Sequence, residues 1–78
     1  MIIAVYTKTG CPSCVKAKNL LNNLKLAYEE VEIGKDILRE DFMSLFPGVM
    51  SVPLIIIDEV KVGGYEQLER YLNEHTQD

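Results

Sequence analysis

Cys11-Pro12-Ser13-Cys14 holds the only two cysteines of the chain. A sulfur pair at this spacing can attach a haem, contribute to a metal site, or pass electrons as dithiol and disulfide. Covalent haem attachment needs His directly after the second cysteine, and residue 15 is Val. Tetrahedral zinc needs two further ligands, and the only other soft donor is His75, so zinc would require a dimer that shares two pairs. Inert cysteines in a core helix are the remaining alternative. A bridge between residues three apart closes too small a loop to staple a fold, so the pair reads as kept for redox chemistry, with no metal expected.

The neighbours of the pair suggest how that chemistry would run. Pro12 suits the first position of a helix, where its missing N–H has no intrahelical partner. Cys11 is then the N-cap, facing free backbone N–H groups and the positive end of the helix dipole, which favour a thiolate. Cys14 lies one turn further in, on the same side and deeper. Cys11 is thus expected to attack and Cys14 to resolve. A thiol pKa lowered from about 8.5 to about 5.5 raises the thiolate fraction at pH 7 roughly 30-fold, and lost nucleophilicity takes back roughly 15–30-fold. The gain lies in the leaving step: a stable Cys11 thiolate departs readily when a second thiol attacks the mixed disulfide.

These residues need elements to hold them. Ile2 to Tyr6 predicts a buried strand, ended by Thr7-Lys8-Thr9-Gly10. Ala17, Leu20, Leu21 and Leu24 follow helical spacing to a close near Lys25. Ala27 to Ile33 alternates as a half-buried strand. Asp36 is placed to help start a second helix with an apolar stripe of Leu38, Phe42, Leu45 and Phe46, stopped by Pro47-Gly48. Leu54 to Ile57 reads as a central strand, turned by Asp58-Glu59 into Val60-Lys61-Val62. Gly63-Gly64 opens a last helix with Leu68, Tyr71, Leu72 and His75 on one face. The order β-α-β-α-β-β-α predicts an α/β fold: a four-stranded mixed sheet with helices on both faces, one parallel pair joined by a right-handed crossover, and a final antiparallel hairpin.

Bulk properties narrow the class. Seventy-eight residues, 47% of them apolar, suit a single domain over 1–78. A net charge of −4 argues against nucleic acid as a general partner. The short apolar start, Met1 to Tyr6, is too short for an export signal or a membrane span, so a reducing cytoplasm is the expected compartment. Charge is uneven along the chain. Residues 1–27 carry Lys8, Lys16, Lys18 and Lys25 and no acid, while residues 40–78 carry eight acids against Lys61 and Arg70. A positive field around the cysteines would favour a thiolate and attract anionic thiols.

Val5-Tyr6-Thr7-Lys8, Cys11-Pro12-Ser13-Cys14 and Lys16-Ala17-Lys18 with Leu20-Leu21 resemble the active-site segment of glutaredoxins. Ser51-Val52-Pro53 resembles that family's Thr-Val-Pro loop, and Gly63-Gly64-Tyr65-Glu66 its Gly-Gly segment. The resemblance covers residues 2–73 and is nearest to short phage and bacterial members. It implies a thioredoxin fold and a glutathione-dependent thiol–disulfide oxidoreductase. Glutathione and disulfide-containing proteins would be the partners, ribonucleotide reductase plausibly among them, with the protein acting as a monomer. Lys8 would meet a carboxylate of glutathione, with Pro12 and Ser13 beside the thiol groove. Val52 would pair its backbone with the cysteinyl part of the tripeptide. Pro53 would be cis and pack against the cysteines. Gly64 would let the backbone approach the γ-glutamyl group, whose carboxylate would meet the N–H groups of Tyr65 and Glu66.

Ser13 stands where the family usually carries Tyr or Phe, and Glu66 where it more often carries Asp. Val49 and Met50 replace a common basic or amide side chain, which leaves the glycyl carboxylate more weakly held, or held by Lys8 alone. Two other readings stay open. One is a thioredoxin-like donor reduced by a flavoprotein; the other is a non-catalytic dimer bridging an iron–sulfur cluster through Cys11 and glutathione.

Overall fold

The computed structural model describes residues 1–75. It contains β1 (Ile3–Thr7), α1 (Pro12–Asn23), β2 (Glu29–Glu32), α2 (Arg39–Leu45), β3 (Leu54–Ile57), β4 (Val60–Gly63) and α3 (Tyr65–His75), in the order the sequence predicts. The expectation for the side chain of His75 falls outside the described residues.

Strand order is β2-β1-β3-β4. The β1–β2 pair is parallel, with Val5 opposite Glu30, and α1 is the crossover between them. β1 runs antiparallel to β3, with Val5 opposite Ile55, and β3 runs antiparallel to β4. Alternation along β1 puts Ile3, Val5 and Thr7 on one face and Ala4 and Tyr6 on the other. The first face packs with Ile55 and Ile57 against Ala17 and Leu21 of α1 and Leu68 and Leu72 of α3. Beneath the opposite face, Tyr6 meets Phe42 and Phe46 with ring centroids 5.4 and 5.1 Å away. Helices thus cover both faces, and this is the thioredoxin fold.

The helix and turn ends show how local chemistry sets the boundaries. α1 closes in a Schellman arrangement: the Leu26 N–H donates to the Leu21 carbonyl and the Lys25 N–H to the Asn22 carbonyl, with Lys25 at φ 58°. Asp58 and Glu59 both have positive φ, 50° and 70°, as a tight two-residue hairpin turn requires. Asp58 also ties the chain start to that hairpin, accepting from the Ile2 N–H at 2.7 Å.

Several local expectations are corrected. Asp36 does not start α2. Its carboxylate accepts from the Glu32 N–H at 2.9 Å and closes the turn at Gly34, because a short carboxylate bonds nearby backbone more easily than it reaches a helix three residues on. The helix begins at Arg39 after an extended Leu38. With two turns only, α2 buries one aromatic face, so Leu38 and Leu45 are 61% and 59% exposed rather than part of the stripe. β1 is shifted by one residue: Ile2 lies exposed before it, and the buried Thr7 completes it.

Candidate functional site

β1 ends at Thr7, and the loop Lys8-Thr9-Gly10 carries the chain across the sheet end to α1. Gly10 has φ 74°, a conformation that suits glycine. Cys11 follows as the N-cap, extended at φ −109° and ψ 102°, and Pro12 opens the helix. The sulfur of Cys11 accepts the Cys14 N–H at 3.1 Å. Cys11 and Cys14 form a disulfide with Cα atoms 5.2 Å apart, inside the usual range for such bridges. Cys14 is buried and Cys11 half-buried, the asymmetry expected of a resolving and an attacking thiol.

The antiparallel β1–β3 pairing carries a distant loop to this pair. Val52–Pro53 is a cis peptide, and the carbonyl oxygen of Val52 lies 3.7 Å from the Cys11 sulfur. Val52 separates two cavities. On one side, a cavity of about 410 Å³ brings together Ser13, Val52, Pro53, Gly64, Tyr65 and Glu66. Gly63 needs its bareness, with φ 120° and Gln67 within 3.1 Å of where a Cβ would stand. Gly64 lies close to the loop: a Cβ there would meet the Pro53 carbonyl at 3.7 Å and the Gln67 amide oxygen at 3.2 Å. That amide oxygen already accepts the Gly64 N–H at 3.0 Å. Lys16 reaches over the Tyr65 ring, 4.7 Å from its centre, and ties α1 to α3 beside the cavity.

Lys8 is not on that side. It lines a cavity of about 460 Å³ across Val52, facing Arg39, Met43, Val49 and Met50. Arg39 is the functional candidate that sequence reasoning missed. Nothing in its local pattern marks it, since its place beside Lys8 depends on how α2 lies across the sheet. Pro12 lines a third cavity with Lys8, Cys11, Cys14, Glu30 and Glu32.

That third cavity corrects the picture of an acid-free surround. The parallel register sets Glu30 opposite Val5 and Glu32 opposite Thr7, so both carboxylates project toward α1. Glu30 pairs with Lys18 at 3.0 Å and accepts the Thr7 hydroxyl at 2.8 Å. Glu32 accepts the Thr9 hydroxyl at 2.8 Å. The Lys18 ammonium, with the Thr7 hydroxyl second, holds the Glu30 carboxyl below its ordinary pKa. The basic stretch is acid-free in sequence and partly neutralised in space.

The cysteine pair stands on a strand-to-helix loop with the Val52 carbonyl against its first sulfur, and the model of the glutaredoxin family matches residues 3–62 around it. The chain belongs to the glutaredoxin family. Glutaredoxin 1 of Rickettsia conorii is 43% identical over 68 residues, covering 85% of this chain and 67% of that protein. A glutaredoxin of Haemophilus influenzae is 37% identical over 81 residues, covering 95% and 93%. The structure of reduced Escherichia coli glutaredoxin superposes with a TM-score of 0.77 at 31% identity, over 97% of this chain and 98% of that one. This glutaredoxin is a thiol–disulfide oxidoreductase with Cys11–Cys14 as its redox pair. Among the described residues no helix is long and apolar enough to cross a membrane, and no group of three or more His, Cys, Asp or Glu could hold a metal ion.

Proposed function

We propose that this glutaredoxin takes its electrons from glutathione and reduces glutathione mixed disulfides and protein disulfides, ribonucleotide reductase being a target of the second kind. The observation that carries the reading is the place of Val52, its carbonyl against the Cys11 sulfur and a cavity on either side. An extended tripeptide with a central cysteine fits that plan. Its cysteinyl backbone would pair with Val52 and its γ-glutamyl carboxylate would meet the first N–H groups of α3 at Tyr65 and Glu66. Its glycyl carboxylate would lie toward Lys8 and Arg39, so that Lys8 does not act alone. Ser13 and Pro12 would border the sulfurs, and Gly64 would leave room for the γ-glutamyl backbone.

The Cys11 thiolate attacks the glutathionyl sulfur of a mixed disulfide, and the substrate thiolate leaves. A second glutathione thiolate then attacks the glutathionyl sulfur on Cys11. Glutathione disulfide forms, and the Cys11 thiolate is released. With a protein disulfide, Cys14 attacks the mixed disulfide instead, and the chain returns to the disulfide form. The protein would work as a single domain over 1–78, as a monomer and in the cytoplasm, where glutathione is kept reduced.

The test is a coupled assay on a glutathione mixed disulfide of 2-mercaptoethanol, following NADPH oxidation. Turnover with glutathione and glutathione reductase supports the reading. Turnover only with thioredoxin reductase would replace it with a flavoprotein-fed donor.

A further inference from the structure

The cavity beyond Val52 is larger and less polar than a glycyl carboxylate requires. At about 460 Å³ it has the size of a site for a whole drug-sized ligand. Two cations, Lys8 and Arg39, stand on its wall, and neither has a carboxylate partner: among the described residues the only ion pair is Lys18–Glu30. Apart from Gly34 and Ser51 the rest of the lining is apolar, with the buried Phe42 and half-buried Val49 joined by the exposed Met43 and Met50. Met50 is 93% exposed and Met43 54% exposed, in a cavity that shares Val52 with the Cys11 sulfur. Flexible thioethers at a groove edge can adapt to varied apolar side chains.

We infer that this groove binds the chain flanking the reactive cysteine of a polypeptide disulfide, and selects an apolar side chain next to a carboxylate. The unpaired Lys8 and Arg39 recognise the carboxylate, and Met43, Met50 and Val49 cover the apolar group. The inference rests on the proposed pairing of substrate backbone with Val52 and extends it to the substrate class. Reaction and recognition are separable. The dithiol of Cys11 and Cys14 gives two electrons and two protons to the peptide disulfide, so the protein becomes the disulfide and the peptide the dithiol.

The experiment measures single-turnover reduction of synthetic cyclic disulfide peptides by the reduced protein, without glutathione, by acid quench and chromatography. The peptides differ only beside one cysteine: Leu-Glu, Ser-Gln or Leu-Lys. Each rate is divided by that for bis(2-hydroxyethyl) disulfide. The Leu-Glu peptide is expected to react about tenfold faster than Ser-Gln, from partial burial of one aliphatic side chain and one screened charge contact. Met43→Ser with Met50→Ser should remove most of the advantage of Leu. Arg39→Glu should turn the preference from Glu to Lys. Val60→Ser, a like change at an exposed site on β4, should leave every ratio as it was. Equal rates for the three peptides, or a preference that the groove variants do not alter, would overturn the inference. Because glutathione is absent, this outcome is independent of whether the coupled assay succeeds.

Discussion

The sulfur of Cys11 and the carbonyl oxygen of Val52 lie 3.7 Å apart, although 41 positions separate them in the chain. The first is held by a helix N-terminus and the second by the loop into β3, so a substrate reaching one must pass the other.

In the reduced protein, Cys11 should ionise below the ordinary cysteine value of about 8.5, and Cys14 should stay protonated after it. The cause is the N-cap geometry, where the Cys14 N–H already points at the Cys11 sulfur at 3.1 Å. Thiolate absorbance near 240 nm against pH measures this; a first transition at or above pH 8 contradicts it.

Cys11→Ser should abolish all exchange. Cys14→Ser should keep most activity on glutathione mixed disulfides, because free glutathione can release Cys11. The same variant should lose reduction of protein disulfides and accumulate a covalent complex, since no free thiol matches the effective concentration of Cys14. Loss of deglutathionylation in Cys14→Ser would remove the glutathione assignment.

Lys8→Ala and Arg39→Ala should each raise the apparent KM for a glutathionylated substrate by a factor that corresponds to about 0.2–1 kcal/mol, with the double variant worse than either. Both should make the rate less sensitive to salt, since exposed charges are screened. Unchanged kinetics at low ionic strength would return both to plain surface cations.

Glu30→Gln tests the Lys18–Glu30–Thr7 contact through pH. The fold lowers the Glu30 pKa, so its stabilising contribution is present above the unfolded value of about 4.3 and is lost as pH falls through the lower folded value. The wild type should therefore be more stable than Glu30→Gln at pH 7, and the difference should shrink in acid. Glu30 is exposed, so the effect should be about 0.2–1 kcal/mol in urea unfolding.

Glu59→Gly should raise stability by about 0.5–1 kcal/mol, because the hairpin turn holds Glu59 at φ 70°, where a side chain is disfavoured and glycine is not. A thermal midpoint that falls on this substitution would show that the carboxylate supplies more than the backbone loses.

What the sequence determined by itself is whatever depends on near neighbours. Helical spacing, alternation and short apolar runs marked every element in order, and Pro12 marked the start of α1. The order of residues around Cys11 carries the expectation of which sulfur attacks and which resolves, since both roles would follow from position within one helical turn. The start of α2 was less legible. A short Asp at residue 36 can cap a helix or close a turn, and the Glu32 N–H settled which only once the chain had folded back. Tertiary structure alone decided the rest. The antiparallel seating of β3 beside β1 in the order β2-β1-β3-β4 delivers Val52 to Cys11, and no local pattern encodes that one pairing, which the sequence suggested only through the family resemblance. The β1–β2 register turned Glu30 toward Lys18 and reduced the positive field that a linear count of lysines suggests. The placement of α2 across the sheet put Arg39 beside Lys8. Periodicity records which face of an element is buried; charge and substrate contacts depend on which other element buries it.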